Sequence, residues 1–207
     1  QPWLEDKIII MLEPRRVAAR MVAVQMAKLL GEEVGQSVGY QVKMESCYSK
    51  QTKLLVVTEA ILVRKLQSDQ ALEDVSMVIF DEFHERSIHT DLSLALCLQV
   101  QELLRDDLKL LIMSATLDSN ELTNLLGKIP VINSKGKIYD VENIYLETNI
   151  KQPDSKNIKT LLLNITLKAI KEDEGDILVF LAGSREIQKL QNLLEESLKE
   201  KNIEILP

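Results

Sequence analysis

Short apolar runs alternate with helix-period stretches along the first two thirds of the chain. Ile8–Leu12 and Leu54–Val57 are continuous apolar runs of strand length, as are residues 77–80 and 110–113. Runs of this kind, bounded by polar residues, suit strands buried on both faces. The residues at 38–42 alternate weakly and suit a further strand. Between the runs lie helical patterns at 14–30, 59–66 and 91–104. The first has Pro14 near its start and Gly31 after its end, the positions these residues favour at helix termini. Thr58 stands where it would cap the second helix. The third is apolar on most faces, which predicts deep packing. Asp118 with Glu121 three residues on reads as a capping box opening a short helix to Leu126. Strands separated by helices of this length predict an α/β fold with βαβ units, a mostly parallel sheet and right-handed crossovers.

The character changes over residues 127–140, where Gly127, Pro130, Gly136 and three lysines interrupt the pattern. A domain boundary is expected near residue 138, giving units 1–138 and 139–207. The second should contain a strand at 141–146, a polar loop around 151–156, a helix at 158–170 and a buried strand at 177–181. An amphipathic helix with Ile187, Leu190, Leu194 and Leu198 on one face should follow, and a strand beginning near 203. At about 69 residues it is small for an α/β domain.

The two apolar runs at 77–80 and 110–113 carry the chemistry. The first ends in Asp81-Glu82-Phe83-His84, the second in Ser114-Ala115-Thr116. In an open parallel sheet, ligands bind at the carboxyl ends of the strands. Two adjacent strands would therefore place an acid pair and two hydroxyls along one crevice. A carboxylate there suits Mg²⁺, and its neighbour suits orientation of an attacking water in phosphoryl transfer. His84, three residues from Asp81, suits a coupling contact better than general-base work. Arg15 and Arg16 follow Ile8–Leu12 at a helix opening, where guanidinium groups and free N–H groups favour phosphate. No Gly-x4-Gly-Lys-Ser/Thr phosphate loop occurs in the 207 residues, for Gly127-Lys128 and Gly136-Lys137 are both followed by isoleucine.

Composition narrows the picture. The chain is 45% hydrophobic and 28% charged, enough for a core, with a net charge of −7. An acidic body argues against a whole-surface polyanion footprint. However, residues 7–30 carry Lys7, Arg15, Arg16, Arg20 and Lys28 against only Glu13, so a local basic face remains. Cys47 and Cys97 are far apart and lack a CxxC pattern, which suits reduced structural thiols of an intracellular protein. No apolar stretch reaches membrane-spanning length, and no signal peptide is expected.

In order and spacing these segments resemble the superfamily 2 helicases of the DEAH/RHA group, most closely the bacterial HrpB-type branch. Glu13-Pro14-Arg15-Arg16-Val17-Ala18-Ala19 is similar to motif Ia, and Val38-Gly39-Tyr40 to the segment after it. Thr58-Glu59-Ala60-Ile61-Leu62 is similar to motif Ib, and Asp81-Glu82-Phe83-His84-Glu85-Arg86-Ser87 to motif II. Ser114-Ala115-Thr116-Leu117 is similar to motif III, and Leu178-Val179-Phe180-Leu181-Ala182-Gly183 to motif IV. The resemblance implies two RecA-like domains, the first incomplete and the second represented by its first half, with ATP and Mg²⁺ as cofactors. It implies a cytoplasmic enzyme acting on single-stranded or structured RNA, with DNA not excluded and no membrane partner. Asp81 and Glu82 would be the metal and catalytic acids, with His84 beside them. Ser114 and Thr116 would couple nucleotide state to closure. Arg15, Arg16, Lys43, Thr58 and Gly183 would hold the nucleic-acid backbone, which carries no sequence information.

Three positions depart from the family pattern: Ala60 for glycine, Lys43 for arginine, and Ala182 for proline. Motif I is expected before Gln1, and motifs V and VI, with the arginine fingers, after Pro207. The remainder of a helicase chain is thus an expected partner, and the fragment alone is expected to be inactive. The same motifs also suit a translocase that does not separate strands, or a non-catalytic RNA-binding fragment.

Overall fold

The computed structural model of the chain describes residues 4, 6–115, 126–127, 129–134, 136, 139–146, 158–199 and 203–207. Thr116 and the predicted capping box at Asp118 and Glu121 lie outside the described residues. The chain divides into two compact units, Gln1–Ser134 and Lys135–Pro207.

The first unit is built on a six-stranded sheet. Its strands are β1 (Ile8–Leu12), β2 (Val38–Val42), β3 (Glu45–Cys47), β4 (Leu54–Val57), β5 (Val75–Phe80) and β6 (Lys109–Ile112), in the order β3-β2-β4-β1-β5-β6. All neighbours are parallel except β2 with β3. Four of the five parallel strands are those the apolar runs predict and β2 is the one expected from weak alternation, with β5 starting two residues earlier than expected.

The short β3 is a correction. It forms a hairpin with β2 through Lys43 and Met44, which lie between the paired residues Val42 and Glu45. Such two-residue turns usually announce themselves by Asn-Gly or Gly. Here Met44 itself adopts φ 68°, so the sequence carries no such sign.

Alternation along the central strand distributes the core to both sheet faces. Ile10 and Leu12 pack with Leu55, Val57, Val78 and Phe80 under α2 (Glu59–Ser68) and α3 (Ile88–Leu103). Met11 packs with Val56, Val38 and Tyr40 under α1 (Arg16–Leu29). The face of α1 toward the sheet is Ala19, Ala23 and Ala27, all fully buried. This i, i+4, i+8 row of small side chains lets the helix lie close to the strands.

The end of α1 follows its glycine. Gly31 takes φ 73°, its N–H donates to the Lys28 carbonyl at 3.0 Å, and the Glu32 N–H donates to that of Ala27 at 3.0 Å. This is the paired-bond helix stop that a left-handed residue permits. Its beginning differs from expectation, because Pro14 lies outside the helix and Arg15 is the capping residue. α3 is apolar around most of its surface, yet only one face is buried; Ile88, Leu92 and Leu103 are exposed. A helix laid on a sheet has one side toward it, so composition overstated the packing. Cys97 lies on the buried side, and burial pushes its thiol up to about 12.

The second unit contains α4 (Ile158–Glu172) and α5 (Ser184–Ser197). Leu190, Leu194 and Leu198 form its centre, packed by Leu162, Leu167, Val179 and Ile205. The strands expected at 141–146, 177–181 and from 203 are not formed among the described residues. A strand gains its hydrogen bonds only from a paired neighbour, and no strand pairing with these segments occurs among the described residues. Leu178 and Phe180 are accordingly exposed.

Candidate functional site

Because the core strands are parallel, their carboxyl ends share one edge. The residues that follow β2, β4, β1, β5 and β6 in that spatial order are Lys43, Thr58, the 13–16 segment, the 81–84 segment and Ser114. The sheet thus gathers Lys43, Thr58, Arg15, Arg16, Asp81, Glu82, His84 and Ser114, which are scattered over 100 residues of sequence. Gly183 belongs to the second unit, where it precedes α5 in an extended conformation.

The acid pair leaves β5 through a tight turn. The Asp81 N–H donates to the Leu12 carbonyl at 3.0 Å, extending the β1–β5 ladder by one residue. One Asp81 oxygen accepts the Glu82 N–H at 2.8 Å. The Met113 N–H donates to the Phe80 carbonyl at 2.8 Å, and the Phe83 N–H to that of Met113 at 3.1 Å. The acid turn is therefore stitched to the end of β6, next to Ser114.

Glu82 sits at φ 49° and Arg86 at φ 42°, on either side of a 3-10 turn at Phe83–Glu85. Left-handed backbone is uncommon for non-glycine residues and concentrates at functional sites. Phe83 is buried and meets Phe80 edge-on at 6.4 Å between ring centres. It anchors the turn while the acids face outward. His84 Nδ1 lies 3.3 Å from Glu82 Oε2, so the histidine contacts the second acid of the pair.

A third acid joins them. Glu13, directly after β1, is buried, and its Oε2 has no hydrogen-bond partner among the described residues. Burial raises its carboxyl to about 7, and the charges of Asp81, Glu82 and Glu85 push the same way. Arg15 opposes this only in part, so a cation beside these carboxylates would relieve their mutual repulsion. Among the described residues, no three His, Cys, Asp or Glu are arranged to ligate a metal directly. Mg²⁺ does not require that, since it is held through one or two carboxylates, waters and substrate phosphates.

The arginines behave differently from one another. Arg15 Nη2 is 2.9 Å from Glu85 Oε1, whereas Arg16 Nη2 donates to the Lys43 carbonyl at 2.9 Å. Both side chains lie at the same sheet edge as Lys43 and Thr58. Thr58 occupies the cap position of α2, but its side chain makes no capping bond and is buried. The expected cap is thus corrected.

Contacts that no local pattern announces join the segments around the site. Glu59 accepts hydrogen bonds from Ser87 Oγ at 2.6 Å and Thr90 Oγ1 at 2.5 Å. Glu85 engages Arg15. No spacing rule links positions 28 to 70 residues apart, so only the fold reveals these pairs.

Among the described residues no helix is long and apolar enough to cross a membrane. Residues 3–125 match the family model described as DEAD/DEAH box helicase. The chain is 47% identical over 193 residues to the ATP-dependent RNA helicase HrpB of Escherichia coli (strain K12), covering 93% of this chain and 23% of that protein. It is 34% identical over 196 residues to the ATP-dependent RNA helicase HrpA of Borreliella burgdorferi, covering 94% and 24%. Two crystal structures of E. coli HrpB match at 46% identity over 92% of the chain. The one described as a DEAH/RHA helicase has a TM-score of 0.84 and the one described as a DExH-box NTPase 0.74, with 24% and 23% of those chains covered. The chain spans about a quarter of the length of these relatives. The mostly parallel sheet flanked by helices agrees with the RecA-like architecture of those helicases, and the chain belongs to the DEAD/DEAH box helicase family.

Proposed function

We propose that the protein carrying this chain is an ATP-dependent RNA helicase of the DEAH/HrpB type, which couples ATP hydrolysis to unwinding of, or movement along, RNA. The observation that carries the reading is the placement of Asp81 and Glu82 at the carboxyl end of β5, stitched to the end of β6 beside Ser114. Residues 1–138 then belong to a first RecA-like domain and 139–207 to the start of a second, in a cytoplasmic enzyme.

Asp81, assisted by Glu82, would hold Mg²⁺, which when bound neutralises charge on the nucleotide phosphates. Glu82 would orient the attacking water and His84 would steady Glu82. Ser114 and Thr116 would couple the nucleotide to movement of the second domain. Arg15, Arg16, Lys43, Thr58 and Gly183 would grip the RNA backbone. The relatives named as RNA helicases support RNA as the substrate.

The test is made in the protein expressed from the complete reading frame that encodes these residues. Glu82→Gln should reduce RNA-stimulated ATP hydrolysis by about 100-fold or more, as expected for loss of a positioned proton acceptor. Retention of the wild-type rate would overturn the reading. The 207-residue chain alone should show no turnover, since neither a phosphate-cradling loop nor arginine fingers lie within it. Strand displacement on RNA duplexes separates a helicase from a translocase. Binding to matched RNA and DNA strands decides between the two nucleic acids, because the 2′-hydroxyl is the only systematic difference along their backbones.

A further inference from the structure

We propose that Glu59 is a positioning residue that ties the loop at the end of β4 to the acid-bearing turn at the end of β5, so that nucleic acid on the first is felt at the second. The inference rests on the reading that Thr58 faces nucleic acid and that Asp81 and Glu82 face nucleotide.

Glu59 is the first residue of α2 and adjoins Thr58. A single oxygen, Oε1, accepts from Ser87 Oγ at 2.6 Å and from Thr90 Oγ1 at 2.5 Å. Both bonds are charge-assisted and partly buried, which makes them short and directional. Ser87 is also the cap of α3, accepting the Thr90 N–H at 3.0 Å. The carboxylate of one helix start thus grips both ends of the capping turn of another. Capping of α3 alone does not require this, because Ser87 already satisfies the Thr90 N–H. The acid of an ordinary capping box comes from the third residue of the same helix. Here it comes from 28 residues upstream, out of the segment that adjoins the proposed nucleic-acid contact.

What Glu59 holds is a turn under strain. Between Asp81 and Ser87 the backbone passes through positive φ twice at non-glycine residues, Glu82 and Arg86. Such conformations persist only where the surroundings over-determine them. The upstream end is fixed by the Leu12 and Met113 ladder bonds. The downstream end is fixed by the Ser87 cap and by the fork of Arg86 on Asp91 at 3.0 and 3.1 Å. Moving the start of α2 therefore shifts an anchor of a turn whose strained backbone is held only by its surroundings.

The experiment compares hydrolysis of ATP with and without an unstructured oligouridylate in the full-length wild type, Glu59→Ala, Glu59→Gln and Thr90→Val, with thermal melting run beside it. Glu59→Ala should keep its basal rate within about twofold while RNA stimulation falls about fivefold or more, the size of an ordinary coupling free energy. Glu59→Gln, which keeps the acceptor oxygen, should recover most of the stimulation. Should Glu59→Ala melt at assay temperature, Thr90→Val decides, since it keeps the shape and removes one hydroxyl donor; stimulation should fall at least about twofold. Stimulation equal to wild type in a folded variant overturns the inference and leaves the proposed function standing. Basal and stimulated rates falling together overturn it in favour of a purely structural role. A wild type that RNA does not stimulate overturns the proposed function and this inference with it.

Discussion

The guanidinium of Arg15 lies 2.9 Å from the carboxylate of Glu85, joining the segment after β1 to the acid turn after β5 across 70 residues of sequence. The Arg15 side chain is 72% exposed, so the pair adds little to stability. Its consequence is competition. An arginine proposed to hold a phosphate is occupied by a carboxylate of the nucleotide-side turn.

Glu85→Gln should therefore tighten nucleic-acid binding. An exposed ion pair is worth up to about 1 kcal/mol, which sets the gain at about two- to fivefold at low salt. Fluorescence anisotropy against labelled RNA checks this, and the gain should shrink as salt screens the pair. Weaker binding by Glu85→Gln would show that the carboxylate orients Arg15 rather than competing for it.

Glu13 makes stability depend on pH. Its carboxyl titrates at about 7 in the folded chain, against an ordinary value of 4.5. Between those values the folded state keeps a proton that the unfolded state has lost. Stability should fall as pH rises from about 4.5 to about 7 and level off above. Glu13→Gln should remove that slope and be more stable at about pH 8, by an amount on the order of 2–3 kcal/mol. Urea melts at several pH values read this directly. An unchanged slope in the variant would place the titration elsewhere.

Arg105 should be a stability residue with no part in the site. Its guanidinium donates to the carbonyls of Ala71, Leu72 and Val75 at 3.2, 2.7 and 3.0 Å, and forks onto Asp107 at 2.6 and 2.7 Å. The side chain is only 12% exposed. Arg105→Ala removes these bonds from a largely buried guanidinium, although the Leu72 carbonyl still accepts the Val75 N–H at 2.9 Å, and should cost about 2–4 kcal/mol. Arg105 and Lys7 hold the Asp107 carboxyl below the usual carboxylate range. A melting temperature unchanged by Arg105→Ala would refute the assignment.

Gly39 is required by close approach rather than by an unusual φ. A Cβ there would lie 2.6 Å from Tyr48 Cβ and 2.7 Å from the Cys47 carbonyl oxygen. Both contacts belong to the chain leaving β3, so Gly39→Ala must push that edge away. A cost of about 1–3 kcal/mol is expected in denaturant unfolding, as for other overpacked sites.

Four of the five parallel strands were legible because each contains an apolar run of four or five residues with polar punctuation, a signal local to the chain, and β2 was legible by weaker alternation. Gly31 was legible as a helix stop for the same reason. The hairpin strand β3 was not, since its turn uses Lys43 and Met44 in place of the residues that mark such turns. The strands expected in the second unit failed because apolar composition supplies a candidate strand but not the neighbour it must pair with. Most of the candidate site could be read from strand-ending chemistry. Glu85, Ser87 and Thr90 were noticed at most as parts of a motif, and Glu13 as one acid among basic residues.

The sequence by itself determined that carboxylates, hydroxyls and arginines stand at the ends of buried strands. A parallel sheet then brings all such ends to one edge. Side-chain period and turn chemistry are properties of neighbouring residues, so they survive without a fold. Only the tertiary structure decided that Glu13 is buried beside Asp81, Glu82 and Glu85 and holds its proton to about 7. It also decided that Arg15 meets Glu85, and that Glu59 meets Ser87 and Thr90. Burial and pairing depend on what residues far away in sequence place around a group, and desolvation and charge act over those distances in space alone.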